Sequence, residues 1–500
     1  MTSKPAHVIS CVVAALLAGC AGGASESASA ALAVAGANAP PLHVDKPRAS
    51  HLPAPNAAGA TAQYYGGPVT ANAKVYVVWW GDPSKINPAI TAAKGGIADY
   101  FAGVTNSSFM DWLNEYSTGI NATAGSHSGM AGTGQYIGRG NYAGTLTLMK
   151  VPSGDVTDAQ IQAAIDQGFV DGVLPPPDDN SLYAVYFPTG VTITLDGSKS
   201  CSGYGAYHDA IIETQRHNTY YLVMPDCGSS FKSVTSVSTH ELVEAMTDNI
   251  PTPASSPDYP QAWNDTMGNE MGDLCEGSNG TVTTDFGMFT VQDIWDERTK
   301  GCTAFSSDAN DFNVALSPNV ATLSLNAAKT FTVKTASVAG TAQMLTLSVT
   351  APMGITATVS PTTLTAGATA AVTVTATNPA ATSGLQVVVR ADATAGSTMQ
   401  THTAALLVST DSSPADLGAP ADLAQGDDLA QAPGTGDGTP GADMGTGTGG
   451  NGETPPLPMK GCGCVIGASD RGALDGTWPE ATLLLIAFAV LGLRRRQPRA

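Results

Sequence analysis

The sequence contains few charged side chains, and few positive ones in particular. Charged residues make up 13% of the 500, and 22 lysines and arginines stand against 42 aspartates and glutamates, a formal net charge of -20. Nucleic-acid binding requires a basic surface, so this balance excludes that class of partner. With 55 glycines and 32 prolines, the low charge indicates that much of the chain is linker or loop-rich β structure.

Two common catalytic motifs are absent from the glycine-rich run of residues 125–144. It contains no G-x-x-x-x-G-K-[ST], which excludes a P-loop there. Its Gly-Ser-His-Ser-Gly segment has His127 at the centre, so it is not the nucleophile elbow of a serine hydrolase.

Cysteine is also scarce, and its positions indicate export. Lys4 and an apolar run over residues 8–17 precede Leu-Ala-Gly-Cys20, which has the form of a bacterial lipobox. We therefore expect a signal peptide over residues 1–20 and lipidation of Cys20. An ordinary secretory signal is the alternative, and both place the mature chain outside the cytoplasm.

Four cysteines lie in the middle of the chain. In an oxidising compartment they are expected to form two disulfides, most simply Cys201–Cys227 and Cys275–Cys302, although the sequence leaves the other pairings open.

Composition divides the exported chain into segments. Strand-like and helix-like patterns alternate between Gln63 and about residue 305, which predicts a mixed α/β domain. Alternating Thr, Val and Ala then predict an immunoglobulin-like β-sandwich. It is expected to act as a spacer, since no aromatic platform is visible; a weak carbohydrate-binding or surface adhesion unit is the alternative. The expected order is a tether over 21–62, the α/β domain over 63–305, the sandwich over 311–410, an acidic linker over 411–460 and a tail over 461–500.

The first half of the α/β domain should be built from a buried strand and helices. Residues 74–81 form an apolar, β-favouring run that ends at Gly-Asp-Pro. A helix is expected over residues 88–102, because Pro88 suits a first helical turn, and another over 108–116. Thr157 to Gln160 form a capping box that should open a further helix.

The segment with the clearest chemical content is Ser238–Asp248, which reads S-T-H-E-L-V-E-A-M-T-D. It predicts a helix that stops before Pro251. At about 100° per residue, His240, Glu244 and the remaining acids share one quadrant, while Leu242 lies on the opposite side. Carboxylates this close raise one another's pKa values unless a positive charge lies among them.

A divalent metal would supply that charge. The segment is a variant of H-E-x-x-H, with His240 and Glu244 as ligands and Glu241 as the base acting on metal-bound water. Zinc is the default ion, and manganese and calcium are alternatives. The competing interpretation is a solvated amphipathic helix with the acids facing outward.

A catalytic metal usually has three protein ligands and one open position. Glu270 is the first choice for the third ligand and Asp273 the second, because a turn next to Cys275 carries both. Asp248 and His208 follow, and His208 is also a candidate transition-state donor or structural histidine.

Several segments together resemble a known family. They are Y-Y-G-G-P-V, V-Y-V-V-W-W-G, H-E-L-V-E-A-M-T-D, N-E-M-G-D-L-C-E-G and F-T-V-Q-D-I-W before a cysteine. In this order they resemble the Exordium, or phosphate-induced, protein family of plant cell walls and its bacterial relatives, over about residues 63–305. The family is secreted and associated with growth and the extracellular matrix, without a settled biochemical activity. The resemblance implies one recurring constellation: His240, Glu241, Glu244, Glu270, Asp273, Cys275 and Cys302.

The C-terminus has its own resemblance. Gly-Cys462-Gly-Cys464, an apolar run over 481–493 and Arg494–Arg496 resemble the tripartite sorting tails of myxobacteria. The apolar run is short for a stable bilayer span, and a plain membrane anchor is the alternative. Both chain ends thus point to the cell envelope.

The sequence therefore predicts an exported, membrane-attached metal-dependent hydrolase whose substrate is a peptide or another extracellular polymer. The rival prediction is a non-catalytic envelope or matrix protein of the Exordium type that holds a structural ion. A carbohydrate-binding protein is a third option, and it would need exposed aromatic side chains along a groove. The candidates for such a groove are Trp79, Trp80, Trp263 and Trp295.

Overall fold

The computed structural model describes residues 59–148, 154–195, 197–212, 217–251, 257–378, 384–395 and 398–410. The predicted signal peptide with Cys20, nearly all of the tether, the acidic linker and the C-terminal tail lie outside the described residues. Of the residues that are described, 41% are in strands and 17% in helices. The fold is therefore mostly β and contains several sheets. Within the same ranges, no helix combines the length and the apolar character needed to cross a membrane.

The first region of the fold alternates strands and helices. Its strands are β1 Gln63–Tyr64, β2 Lys74–Trp80, β3 Asn141–Leu148, β4 Val156–Thr157, β5 Ser181–Tyr186, β6 Ile193–Leu195, β7 Ser198–Lys199, β8 Tyr207–Ile211, β9 Thr219–Met224, β10 Trp263–Asn264, β11 Asn279–Thr284, β12 Gly287–Gln292, β13 Ile294–Asp296 and β14 Gly301–Thr303. Its α-helices are α1 Pro88–Thr91, α2 Ile97–Val104, α3 Ser108–Trp112, α4 Asp158–Val170 and α5 Phe231–Thr247. Short 3-10 helices cover Pro83–Lys85, Leu113–Tyr116 and Asp273–Cys275.

A five-stranded sheet forms the centre of this region, in the order β3-β2-β5-β9-β8. The first four strands are parallel, and β8 pairs antiparallel with β9 at one edge. All residues of β2, β5 and β9 are buried, because the sheet is covered on both faces. One face packs with α2 and α5, and the other packs with Ile161 and Ile165 of α4.

The helix expected over residues 88–102 is wrong as a single element. The structure forms two helices, α1 and α2, on either side of Gly95 and Gly96. The first helix ends at Thr91, where the C-cap Ala92 leaves the helical conformation, and Gly95, with a φ of +71°, takes a left-handed conformation that does not continue a helix and that glycine adopts without steric cost. The capping box at Thr157 and Gln160 is present and opens α4 as expected.

The second region is a β-sandwich of two sheets. Its strands are β15 Asp311–Ser317, β16 Val320–Leu323, β17 Ala328–Ala339, β18 Met344–Thr350, β19 Ile355–Ser360, β20 Thr363–Thr365, β21 Thr369–Ala376, β22 Leu385–Ala395 and β23 Thr398–Thr410. One sheet has the order β15-β17-β21-β19 and the other the order β16-β23-β22-β18-β20. Buried Val, Leu, Ala and Phe side chains from both sheets form its core, as period-2 patterning predicts.

The sandwich packs directly against the first region through polar contacts. Arg139 N donates to the Thr403 carbonyl at 2.8 Å, and Ala405 N donates to the Arg139 carbonyl at 3.0 Å. The side-chain amides of Asn72 and Asn141 donate to Thr403 Oγ1 and the Ala405 carbonyl, at 3.0 Å and 3.1 Å. The expectation of a spacer module therefore misses this interface, which carries buried hydrogen bonds.

Two disulfides join the four central cysteines. Cys201 pairs with Cys227, and Cys275 pairs with Cys302. The second disulfide ties the Asp273–Cys275 turn to β14, so it fixes the turn that carries two of the predicted ligands.

The four tryptophans considered for carbohydrate binding lie in the core. None of Trp79, Trp80, Trp263 and Trp295 is more than 8% exposed. Aromatic side chains must be accessible to stack on a sugar, so these four do not form a binding platform.

Candidate metal centre

Helix α5 carries the motif into the interior. Ser230 caps its N-terminus by accepting from Ser233 N, and the helix begins well before the expected Ser238. Leu242 and Met246 pack in the core as predicted, and Glu241 and Glu244 are buried as well. The acids therefore do not face solvent, and the interpretation of α5 as a solvated amphipathic helix is wrong.

Three ligand atoms converge at the C-terminal half of α5. His240 Nε2 lies 3.1 Å from Glu244 Oε2 and 3.8 Å from Asp273 Oδ1. The His240 side chain is 16% exposed and that of Asp273 is 47% exposed, so this group opens toward solvent. We call His240, Glu244 and Asp273 the outer set.

A second convergence lies deeper and shares Glu244. His208, on the edge strand β8, has Nδ1 3.6 Å from Glu241 Oε2 and 3.7 Å from Glu244 Oε2. All three side chains are 4% exposed. We call His208, Glu241 and Glu244 the inner set.

Hydrogen bonds orient both imidazole rings. His208 Nε2 lies 3.1 Å from the Asp248 carbonyl, which is an acceptor only, so Nε2 is a donor and Nδ1 is the ring nitrogen that could bind a metal after losing its proton. His240 Nδ1 faces the side-chain amide of Gln292, 3.2 Å from Oε1 and 3.0 Å from Nε2, and Gln292 Nε2 also donates to the Gly272 carbonyl. These contacts hold the His240 ring with Nε2 directed at the two carboxylates of the outer set. Metal-binding histidines are commonly held by such second hydrogen bonds.

Gln292 was missed as a functional residue by the reasoning from sequence. The Gln-x-x-Trp pattern that contains it was noticed only as part of a resemblance. Its position at the end of β12 follows from the β11–β12 hairpin, in which Gln292 pairs with Asn279. The available signal was an amide side chain at the last residue of a strand that precedes Cys302. The sequence does not show that this strand, β12, packs on α5.

The positions of Glu270 and Asp248 in the structure do not match their predicted order of preference as the third ligand. Glu270 Oε1 is 3.4 Å from His208 Nε2, the ring nitrogen that faces the Asp248 carbonyl. Asp248 accepts from Ala262 N at 2.9 Å and from Asn264 Nδ2 at 2.5 Å. Asp248 therefore caps α5 and fixes the next segment, while Asp273 provides the ligand atom near His240.

The distances suit a metal ion. With bonds of about 2.0–2.2 Å, two ligand atoms on a tetrahedral zinc are roughly 3.3 Å apart. The separations of 3.1 Å and 3.8 Å in the outer set bracket that value. Glu241 Oε2 and Glu270 Oε1 are buried without a hydrogen-bond partner, and no Lys or Arg in the described ranges pairs with these acids. Buried carboxylates without partners are costly, and a cation would relieve this cost.

Without a metal, the cluster holds protons instead. Burial raises the pKa of Glu244 to about 8 against the opposing charge of His240, with Asp273 adding to the rise. Burial lowers the pKa of His240, but Glu244, Glu241 and Asp273 outweigh it and the pKa lies well above its usual value. Burial is likewise outweighed at His208, mainly by Glu270 and Glu241, so its pKa is also raised.

We therefore expect the metal-free protein to lose stability as the pH rises. Between about pH 4.5 and 8 the folded state binds a proton on Glu244 that the unfolded state has released. The free energy of unfolding should then fall by about 1.4 kcal/mol per pH unit for this group. The raised histidine pKa values act in the same direction above pH 6.5. Urea denaturation at several pH values, with and without saturating zinc, checks this expectation.

Zinc should flatten this pH dependence, because it replaces the protons. Glu115 provides the control: burial, with Asp296 adding, raises its pKa to about 8, and it belongs to neither set. Glu115→Gln should reduce the slope equally with and without zinc. Equal slopes for the metal-free and zinc-saturated wild type would contradict the expected proton release.

Gly272 brings its backbone close to the ligands. A Cβ there would lie 2.6 Å from Glu244 Oε1 and 3.0 Å from His240 Nδ1. Gly272→Ala should displace both side chains and lower zinc affinity by about 10- to 100-fold, the range for outer-shell changes. Competition with a chromogenic chelator measures this. Gly119→Ala is the matched control, since its Cβ would meet only Tyr136, at 2.7 Å; a similar affinity loss in both variants would contradict the local effect.

Comparisons with known proteins give no family assignment. No protein-family model matches the chain, and no curated protein does. Domains 4 and 5 of the S-layer protein SbsC are 13% identical, with a TM-score of 0.15, over 26% of this chain and 65% of that one. The D00-D0 domain of intimin is 15% identical, with a TM-score of 0.15, over 31% of this chain and 75% of that one.

An endo-fucoidan hydrolase from glycoside hydrolase family 107 is 13% identical, with a TM-score of 0.14, over 32% of this chain and 23% of that one. All of these TM-scores are too low to carry an argument about fold or function. The geometry of the inner and outer sets is the support for a metal site.

Proposed function

We propose that the chain is an exported, metal-dependent hydrolase of the cell surface that cleaves peptide bonds. The observation that carries the proposal is the outer set: three converging ligand atoms on His240, Glu244 and Asp273 at a partly exposed position. Asp273 replaces Glu270 as the third ligand because its carboxylate is the one near His240 Nε2. A catalytic site needs such access, whereas a purely structural ion is enclosed.

The chain's own residues have separable roles in this proposal. A divalent ion held by the outer set would act as a Lewis acid on a substrate carbonyl and make bound water more acidic. Glu241 Oε2 is buried and without a hydrogen-bond partner, so it is available to accept a proton from the attacking water. Gln292 holds the His240 ring, and the Cys275–Cys302 disulfide holds the turn that bears Asp273.

Peptide bonds are the proposed substrate because a helix-borne His-Glu pair with a metal most often serves proteolysis. Zinc is the proposed ion, since imidazole and carboxylate ligands in a three-residue set suit it. The lipobox at Cys20, the C-terminal tail and the two disulfides support export to the envelope.

Metal content and activity test the proposal together. The purified protein should contain zinc by mass spectrometry and should cleave an unstructured protein such as casein. Glu241→Gln should abolish cleavage, and its metal content then reports whether Glu241 is also a ligand. A wild-type protein that retains no metal after loading, while remaining folded, would overturn the proposal.

A second candidate function is a non-catalytic envelope or matrix protein of the Exordium type. The observation that favours it is the burial of the inner set, in which an ion would have little access to substrate. A zinc-loaded protein with no hydrolytic activity on peptide or polysaccharide substrates would favour this candidate.

A further inference from the structure

We propose that the cluster binds two divalent ions, one in the inner set and one in the outer set, with Glu244 as the shared ligand. This inference rests on the proposed function, because it adds a second ion to the same centre. Glu244 Oε2 is the atom common to both sets, 3.1 Å from His240 Nε2 and 3.7 Å from His208 Nδ1. Metal ions in two-metal sites are about 3.5–4 Å apart, and a single carboxylate oxygen can bridge such a pair.

The orientation of the His208 ring favours an ion in the inner set. Its Nε2 faces the Asp248 carbonyl, so Nδ1 is the nitrogen directed at Glu241 and Glu244. His208 Nδ1 lies 3.6 Å and 3.7 Å from the two carboxylate oxygens, a separation that suits two ligands of one ion better than a direct hydrogen bond.

The burial of Glu241 also favours an ion in the inner set. The residue is 3% exposed, and Oε2 has no hydrogen-bond partner. An ion in the outer set alone would leave Glu241 Oε2 without a hydrogen-bond partner, facing His208 Nδ1 at 3.6 Å. An ion in the inner set would bind that oxygen directly.

The net charge of the cluster also favours two ions. Glu241, Glu244, Glu270 and Asp273 carry four negative charges when ionised, and no Lys or Arg in the described parts of the chain pairs with them. One divalent ion balances half of this charge, and two ions balance all of it. The imidazoles of His208 and His240 would bind the ions as neutral ligands, after losing their protons, and so would not change this sum.

The two positions would differ in access. Asp273 gives the outer ion a partly exposed ligand, while the inner set is enclosed. Glu244 Oε1 accepts from Asp273 N at 3.0 Å, so only Oε2 is left to serve both ions. In a two-ion centre Glu241 would be a ligand of the inner ion instead of the base proposed for a one-ion centre, and the inner ion would also help to orient Glu244.

The stoichiometry of bound metal tests the inference. The full-length protein, stripped with chelator, reloaded with zinc and dialysed, should contain two ions per chain by mass spectrometry. His208→Ala and His240→Ala should each retain one ion. The control His217→Ala, which removes an exposed histidine paired with Asp179, should retain two.

Each other result has a distinct meaning. One ion in the wild type would overturn the inference and leave the proposed function standing, whereas no ion would overturn both. Loading the wild type with Mn²⁺ provides a measurement that does not depend on a variant folding. A bridged pair gives an exchange-coupled electron paramagnetic resonance spectrum, and the signal of isolated Mn²⁺ alone would overturn the inference.

Discussion

His240→Ala is expected to lower zinc affinity at the outer set by more than about 100-fold and to abolish hydrolysis. Changes to groups that merely hold a metal ligand cost about 10- to 100-fold in affinity, and loss of a ligand should cost more. The imidazole is the only nitrogen ligand of the outer set, and its removal leaves Glu244 and Asp273, two carboxylates. Competition with a chelator gives the affinity, and casein cleavage gives the activity.

The control for this change is the same substitution at His217. His217 also faces a carboxylate, with Nδ1 2.7 Å from Asp179 Oδ1, but its side chain is 56% exposed. His217→Ala should leave affinity and activity unchanged. If His240→Ala binds zinc as tightly as the wild type and still folds, the outer set is not the metal site.

The helix that bears the site could be predicted from the sequence because its signals are local. The spacing of His240 and Glu244 requires only helical geometry, and the structure brings the two ligand atoms to 3.1 Å. The separation of Leu242 from these residues follows from the same geometry. Burial of Glu241 could not be predicted this way, because it depends on elements packed over α5 from distant parts of the chain.

The third ligand could not be predicted for a related reason. Glu270 and Asp273 are three residues apart on one turn, and the sequence gives no reason to prefer the one near His240. The structure directs Glu270 toward His208 and Asp273 toward His240. That choice depends on how the Cys275–Cys302 disulfide and Gly272 set the turn against α5.

For the β-sandwich, the strands could be predicted from the sequence but their packing against the first region could not. Alternating residues predicted its strands, since period-2 patterning is local. Its packing against the first region involves Asn72, Arg139 and Thr403, which are far apart in the sequence and carry no periodic signal. A spacer was therefore expected where the structure has an interface.

Arg139→Ala is expected to lower the free energy of unfolding by about 3–5 kcal/mol, the cost of breaking a buried ion pair from one side. Arg139 is 2% exposed and Asp111 is 1% exposed. Arg139 Nε donates to Asp111 at 3.0 Å, and a terminal nitrogen donates to Asp111 Oδ2 at 2.6 Å. Burial nevertheless raises the pKa of Asp111, against the lowering by Arg139, so without the guanidinium the carboxyl group would be buried without its ion-pair partner.

A double variant separates the ion pair from simple loss of packing. Arg139→Met combined with Asp111→Leu removes both charges and keeps apolar volume, so it should be less destabilised than Arg139→Ala alone. Lys199→Ala is the surface control, because the Lys199–Asp155 pair is largely exposed and should contribute less than about 1 kcal/mol. Urea denaturation of the purified protein measures all of these variants.

The interface between the two regions should also determine whether the protein unfolds in one transition or two. Arg139 joins the sandwich through its backbone and Asp111 through its side chain, so the two regions should unfold in one transition in the wild type. Arg139→Ala keeps the backbone hydrogen bonds to the sandwich but removes the ion pair that holds this backbone in the first region, so it should shift that transition as a whole or split it in two. A sandwich that behaves as an independent spacer would instead unfold separately in the wild type, with its midpoint unaffected by Arg139→Ala, and this result would contradict the role of the interface.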